Sequence, residues 1–240
     1  MVADAISFHI LVALAQGVLA RYYNSSILGG HDVNISQVPY HVNYGDICGG
    51  VLIDKKWAIT SAHCGTHNFI RIGSRYRIRG QKVQIISHLI HPQYGIEHPY
   101  DYDIQLLKLK RNLLFGKMVS AIDMCDGDCG GDILVSGWGY PVERGDYKEV
   151  LQQVQLRIVS FSQCQRVSEF WYNHTLTSRM FCAGDTDRDA CQGDSGGGAV
   201  SRNGLAGLSS FGVGCGRVPG VYVNTSHQGI RTWIHDHTGL

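Results

Sequence analysis

The chain has 240 residues, enough to bury a substantial core, and a single all-β domain of that length is ordinary. A formal net charge of +1 and only 17% charged residues give no reason to expect nucleic acid or an acidic polymer as a partner. The first segment, MVADAISFHILVALAQGVLARYYNSS, carries an apolar run from Ile6 to Ala20. Val18-Leu19-Ala20 ends it as a small-x-small cut site, so residues 1–20 read as a secretory signal. A membrane span would want about 20 apolar residues, and no other segment could cross a bilayer. Asp4 stands where a signal usually has Lys or Arg, and Ala13-Leu14-Ala15 offers a competing cut.

After residue 27 the chain breaks into short apolar or β-branched runs: PYHVNY, GGVLI, WAIT, FIRI, VQIIS, DIQLLKL, DILVSGWG, VLQQVQLRIVS, GAVS, GLAGLSS and GVYVNT. Gly, Asn, Asp and Pro separate them, the pattern of a sandwich or barrel. One helix is expected at the C-terminus, with Thr225 and Gln228 as a capping box and Ile230, Trp233 and Ile234 on one face. His235 and His237 in HDH could suggest a metal, but two residues apart on a helix they point in different directions.

Eight cysteines, an even number in a chain with a signal, suit pairing in an oxidising compartment better than metal binding. Spacing alone does not assign them. Asn24, Asn34, Asn173 and Asn224 begin glycan-acceptor triplets, a pattern that also arises by chance.

The stretch DRDACQGDSGGGAV surrounds one hydroxyl, Ser195, with glycine. A serine hydroxyl is a poor nucleophile until a base takes its proton and a third group orients that base. TSAHC supplies His63 and YDYDIQLL supplies Asp103, each beside an apolar strand. Alone, either would be an unremarked packed histidine or turn aspartate. The three contexts together are hard to produce by coincidence.

On those motifs the chain resembles the trypsin-like (chymotrypsin-fold) serine proteases, from Ile27 to the last helix. The resemblance implies an all-β fold of two six-stranded antiparallel barrels, about 27–120 and about 121–240, with a C-terminal helix. It implies that Ser195 attacks the scissile carbonyl, His63 shuttles the proton and Asp103 orients the imidazole. The N–H groups of Gly193 and Ser195 would hold the oxyanion, and glycine at 193 would leave the backbone free to aim one of them. Ser210 matches the serine that hydrogen-bonds the triad aspartate. Asp189 matches the floor of the primary specificity pocket, with Gly212 and Gly220 as its walls, which implies cleavage after Arg or Lys. Ala190 replaces a common serine and would favour Arg.

ILGG at 27–30 resembles the new N-terminus of an activated zymogen, whose Ile27 ammonium would pair with Asp194. Residues 21–26 would then be a short propeptide ahead of a peptidase domain, 27–240. Ser26 precedes the cut, so the activating protease would have non-tryptic specificity. That feature and SGWGY also resemble the mite group 3 trypsin-type allergens. The same resemblance implies bridges Cys48–Cys64, Cys164–Cys182 and Cys191–Cys215. Cys125 and Cys129 have no counterpart; a tight local bridge competes with free or intermolecular thiols. Implied partners are protein or peptide substrates and macromolecular protease inhibitors, with the chain secreted and monomeric.

Departures from the family pattern bear on the pocket. CAGDTDRDAC and CGRVPGVY are each about two residues short, which puts the display of Asp189 in question, and Arg188 could compete for it. Phe211 replaces a usual Trp and Gly198 a usual Pro, while Tyr100 would narrow the neighbouring subsite. EFWYNH, in a lengthened 164–182 loop, offers aromatics to an extended substrate. GSRYRIRGQK lacks the glutamates of the family's calcium loop, so neither calcium nor any other metal or cofactor is expected. Its Arg75, Arg77, Arg79 and Lys82 read as a solvated basic face rather than an anion exosite. Two functions remain: a zymogen-activated endopeptidase, or an inactive paralogue that binds without turning over.

Overall fold

The computed structural model describes residues 29–140, 145–172, 174–184 and 189–240, and not the side chains of 168–171. The signal, the propeptide, Ile27, Asn24, Asn173, Arg188 and the aromatic rings of 170–171 therefore lie outside the described residues.

Two closed antiparallel barrels make up the molecule. The first joins β2 (His41–Tyr44), β3 (Cys48–Leu52), β4 (Trp57–Thr60), β7 (Gln105–Leu109), β6 (Gln81–Ile90) and β5 (Phe69–Ile72), with β5 returning to β2. The second joins β8 (Asp132–Gly137), β9 (Gln152–Val159), β10 (Met180–Ala183), β13 (Gly220–Asn224), β12 (Gly204–Phe211) and β11 (Gly198–Ser201), closed by β11 on β8. A short β1 (His31–Asp32) adds to β9, so the start of the described chain is built into the second barrel.

Strands β2, β3 and β4 are buried at every position rather than alternately. The reason is that each has two dry faces. Val42, Tyr44, Leu52, Ala58, Ile70, Leu107 and Leu109 fill the first barrel. Val51, Ile59 and Leu106 point the other way and meet Leu205, Leu208 and Val223 of the second. The barrels thus share an apolar seam, and the cleft along it is where residues from both can meet.

The C-terminal helix, α2 (Gln228–Thr238), buries Ile230, Trp233 and Ile234 in that same seam. Its cap differs from expectation. His227 is the N-cap, its Nδ1 accepting from the Gly229 amide at 3.2 Å. Thr225 is instead fully buried and donates to the Leu205 carbonyl, a tertiary bond that outcompetes the local one. Two elements were not anticipated. Helix α1 (Phe161–Trp171) starts from a reciprocal Ser160–Gln163 pair, the Ser160 amide donating to Gln163 Oε1 and the Gln163 amide to Ser160 Oγ. Strand β10 covers MFCA, whose Cys182 is tied to Cys164 of that helix.

All four bridges form: Cys48–Cys64, Cys125–Cys129, Cys164–Cys182 and Cys191–Cys215. The tight local pairing of Cys125 with Cys129 is therefore the one adopted. The basic segment is largely engaged: Arg75 pairs with Asp32 at 3.0 Å, Arg79 with Glu149 at 3.3 Å, and Lys82 lies 4.0 Å over the Phe69 ring. No helix among the described residues is long and apolar enough to cross a membrane.

Candidate active site

Strand β4 ends in a 3-10 turn, Ala62–Cys64, that swings His63 into the cleft, and the Cys48–Cys64 bridge pins that turn. Asp103 arrives from the segment before β7 and is 0% exposed. Its Oδ2 lies 2.6 Å from His63 Nδ1 and accepts from Ser210 Oγ at 2.5 Å, while Oδ1 accepts from the His63 amide at 2.8 Å. A carboxylate only accepts, so Nδ1 is the protonated ring nitrogen and Nε2 is left to face the cleft as an acceptor. Two bonds from one residue to one carboxylate fix both the ring and its backbone. Gln105 holds the other side of the turn, donating through Nε2 to the carbonyls of Ser61 and Gly65.

Ser195 comes from the second barrel. The Gly49 amide donates to its carbonyl at 2.8 Å, and the Gly196 amide donates to the Ser209 carbonyl at 2.8 Å. Glycine is needed at 196 because a Cβ there would lie 2.0 Å from Thr60 Oγ1 and 2.6 Å from the Gly49 carbonyl. Ser195 and His63 line one cavity, yet no hydrogen bond joins Ser195 Oγ to His63. In sites without substrate this contact is commonly long and tightens on binding. Among the described residues, the amides of Gly193 and Ser195 spend no hydrogen bond on protein backbone.

The cavity has a volume of about 230 Å³ and runs from His63, Ser195 and Tyr100 down to Asp189, between walls that include Gly212 and Gly220. Asp189 is 2% exposed. One oxygen accepts from the Gly216 amide at 2.9 Å; the other, Oδ1, has no hydrogen-bond partner. Burial pushes its carboxyl up to about 7, against the pull of the Gly216 and Ala190 amides. Among the described residues, no cation pairs with it. Gly220 leaves it room: a Cβ there would lie 3.0 Å from the unpaired oxygen, which would have to give way.

Asp194 sits behind the cavity, buried, accepting from the amides of Gly139 at 2.8 Å and Cys191 at 3.0 Å. Burial pushes it up to about 7 as well. Above the cavity, Tyr100 stacks on Phe211 with ring centres 4.8 Å apart and meets the edge of His63 at 5.6 Å.

The Trypsin family model matches residues 27–234. The chain belongs to the trypsin family of serine proteases. It is 34% identical to the vitellin-degrading protease of Bombyx mori over 96% of this chain and 92% of that protein. It is 33% identical to Trypsin 5G1 of Aedes aegypti, over 89% of this chain and 85% of that one. Among solved structures, neuropsin, a serine protease expressed in the limbic system of mouse brain, superposes with a TM-score of 0.78. That match has 30% identity and covers 88% of this chain and 99% of the other.

Within this trypsin-family fold, four residues near the site had escaped notice in the sequence. The Tyr147 ring lies under Gly193, and its hydroxyl donates to the Ile47 carbonyl at 2.9 Å. The Tyr140 amide holds the Gln192 carbonyl at 2.8 Å. Buried Asp101 pairs with half-buried Arg179 beside the Asp103 segment. Only SGWGY, which ends in Tyr140, carried any local signal; the rest depend on contacts distant in the chain.

Proposed function

We propose that this trypsin-family chain is a secreted serine endopeptidase that cleaves peptide bonds after arginine or lysine. The observation that carries the reading is one cavity with Ser195 and His63 at its rim and a buried Asp189 oxygen unpartnered at its floor. A guanidinium or ammonium reaching that floor would supply the missing donor and charge, leaving the next carbonyl beside Ser195.

Chemistry then follows from the roles of the side chains. His63 Nε2 takes the Ser195 proton as Oγ bonds to the carbonyl carbon, and Asp103 stabilises the imidazolium. The unspent amides of Gly193 and Ser195 receive the oxyanion. His63 returns the proton to the departing amine, and water repeats the sequence on the acyl-enzyme. Asp194, buried with amides alone, suits a partner delivered by cleavage, the ammonium of Ile27. On this reading Ser26–Ile27 is the activating cut.

The test is to process that bond and assay peptides ending in Arg, Lys or Leu, with fluorophosphonate labelling in parallel. Hydrolysis after Arg and Lys, with labelling lost in Ser195→Ala, supports the reading. A second reading, an inactive binding paralogue, is favoured by the Tyr100–Phe211 stack lining the cavity. Absent hydrolysis and labelling after processing would select it.

A further inference from the structure

Asp103 belongs to the short segment 100–103, whose backbone is unusual. Tyr100 and Tyr102 both adopt left-handed conformations, with φ of 62° and 52°. Non-glycine residues hold such conformations only when the surroundings over-determine them. Between them lies Asp101, 1% exposed. Its Oδ1 accepts from Thr177 Oγ1 at 2.9 Å, from Arg179 Nε at 3.1 Å and from the Tyr102 amide at 3.1 Å, and Arg179 Nη2 donates to Oδ2.

Every side-chain donor in that set comes from the second barrel. Arg179 is itself built in rigidly: its carbonyl accepts from the Asn224 amide at 2.8 Å, beside β13 and one residue before β10. Its guanidinium also lies 5.1 Å over the Tyr102 ring, whose other neighbour, His91, is stacked at 4.3 Å. Arg179 thus grips the segment at Asp101 and again at Tyr102. The guanidinium fork matches a carboxylate in two directions at once, so the grip sets orientation as well as position.

This matters because the residues read as catalytic are divided between the barrels: His63 and Asp103 come from the first, Ser195 from the second. We propose that Arg179 is a positioning residue, which through Asp101 holds the strained 100–103 segment so that Asp103 meets His63 in register with Ser195. The proposal rests on the reading of His63, Asp103 and Ser195 given above. Asp101 and Arg179 touch none of the cavity-lining groups named for chemistry, so they act only through the segment.

The experiment compares processed wild type with Arg179→Met, Arg179→Lys and Asp101→Asn, measuring kcat, KM, fluorophosphonate labelling rate and thermal midpoint. Misplacing a reacting group by about 1 Å costs on the order of 100-fold. Arg179→Met is therefore expected to lower kcat and the labelling rate at least tenfold with KM for a short arginine substrate little changed. Lysine should recover part of the loss, since it restores charge but not the fork, and combining Asp101→Asn with Arg179→Met should add little to either alone. A kcat within twofold of wild type in folded Arg179→Met overturns the proposal. If that variant does not fold, the same outcome in Asp101→Asn overturns it. Wild type that neither hydrolyses nor labels would overturn the site reading itself, a result separate from equal activities across the variants.

Discussion

The Gln192 carbonyl accepts a hydrogen bond from the Tyr140 amide at 2.8 Å, and this contact orients the peptide that joins Gln192 to Gly193. In a trans peptide the C=O and the following N–H point in opposite directions. Anchoring the carbonyl on Tyr140 therefore turns the Gly193 N–H away from Tyr140. Gly193 has φ of 95°, and a Cβ there would lie 2.5 Å from Tyr147 Cε1 and 3.1 Å from Gly139 Cα. Position 193 is closed to any side chain by conformation and by contact.

Gly193→Ala should accordingly rotate or displace that peptide. Losing one donor of this kind costs about 2.7–4 kcal/mol of barrier stabilisation, or about 100- to 1000-fold in kcat. Binding of a small cationic inhibitor in the Asp189 slot should be unaffected, because the slot lies deeper. Steady-state kinetics with inhibitor titration tests this; equal losses in both would mean the whole loop had collapsed.

Asp189 gives a pH signature. With its carboxyl raised to about 7, the empty slot holds a proton below that pH, which a cationic ligand must displace. Affinity for a benzamidine-type inhibitor should be flat above pH 7 and fall toward tenfold per unit below it. Asp189→Asn should bind the inhibitor weakly and without that slope. A wild-type affinity constant between pH 5 and pH 8 would show that the floor is already ionised and solvated.

Tyr100 separates selection by size from selection by charge. Its ring spans from the His63 edge to the face of Phe211, so on the proposed specificity the residue preceding the arginine or lysine should have little space. Tyr100→Ala should raise kcat/KM for substrates with a bulky residue there, relative to glycine, by about tenfold, the scale of a removed clash. Paired peptide substrates differing only at that residue would measure it. An unchanged ratio would place the ring outside the substrate path.

Most of this architecture was legible because the strand runs are short, β-branched and separated by turn residues, and because each residue read as catalytic sits in a distinctive local context. What escaped was decided by contacts remote in sequence. Thr225 looked like a helix cap, but the Leu205 carbonyl took its hydroxyl and left His227 to cap. Helix α1 was hidden behind its unremarked Ser160–Gln163 box, the one miss that a local rule could have caught. Asp101, two residues before Asp103, carried no local signal; its partner Arg179 is 78 residues away. Burial above all made Asp189 and Asp194 abnormal carboxylates, and burial has no local spelling.

Asp194 provides the last test, through stability. Among the described residues no cation pairs with it, and burial raises its carboxyl from 3.8 to about 7. A group whose folded value is raised contributes stability that is complete below its unfolded value and is lost as pH rises through the folded one. The unprocessed chain should therefore weaken by about 3 kcal/mol between pH 5 and pH 8, read as a fall in urea midpoint. Asp194→Asn should flatten that slope by removing the titrating group. Processing before Ile27 should remove most of that slope, because a new ammonium beside Asp194 favours the ionised carboxylate and pulls its pKa down. Asp189 titrates over the same range and feels Asp194, so all these measurements are made in an Asp189→Asn background. If the processed and unprocessed chains show the same pH dependence, Asp194 is not where the new terminus goes, and activation must work through another contact.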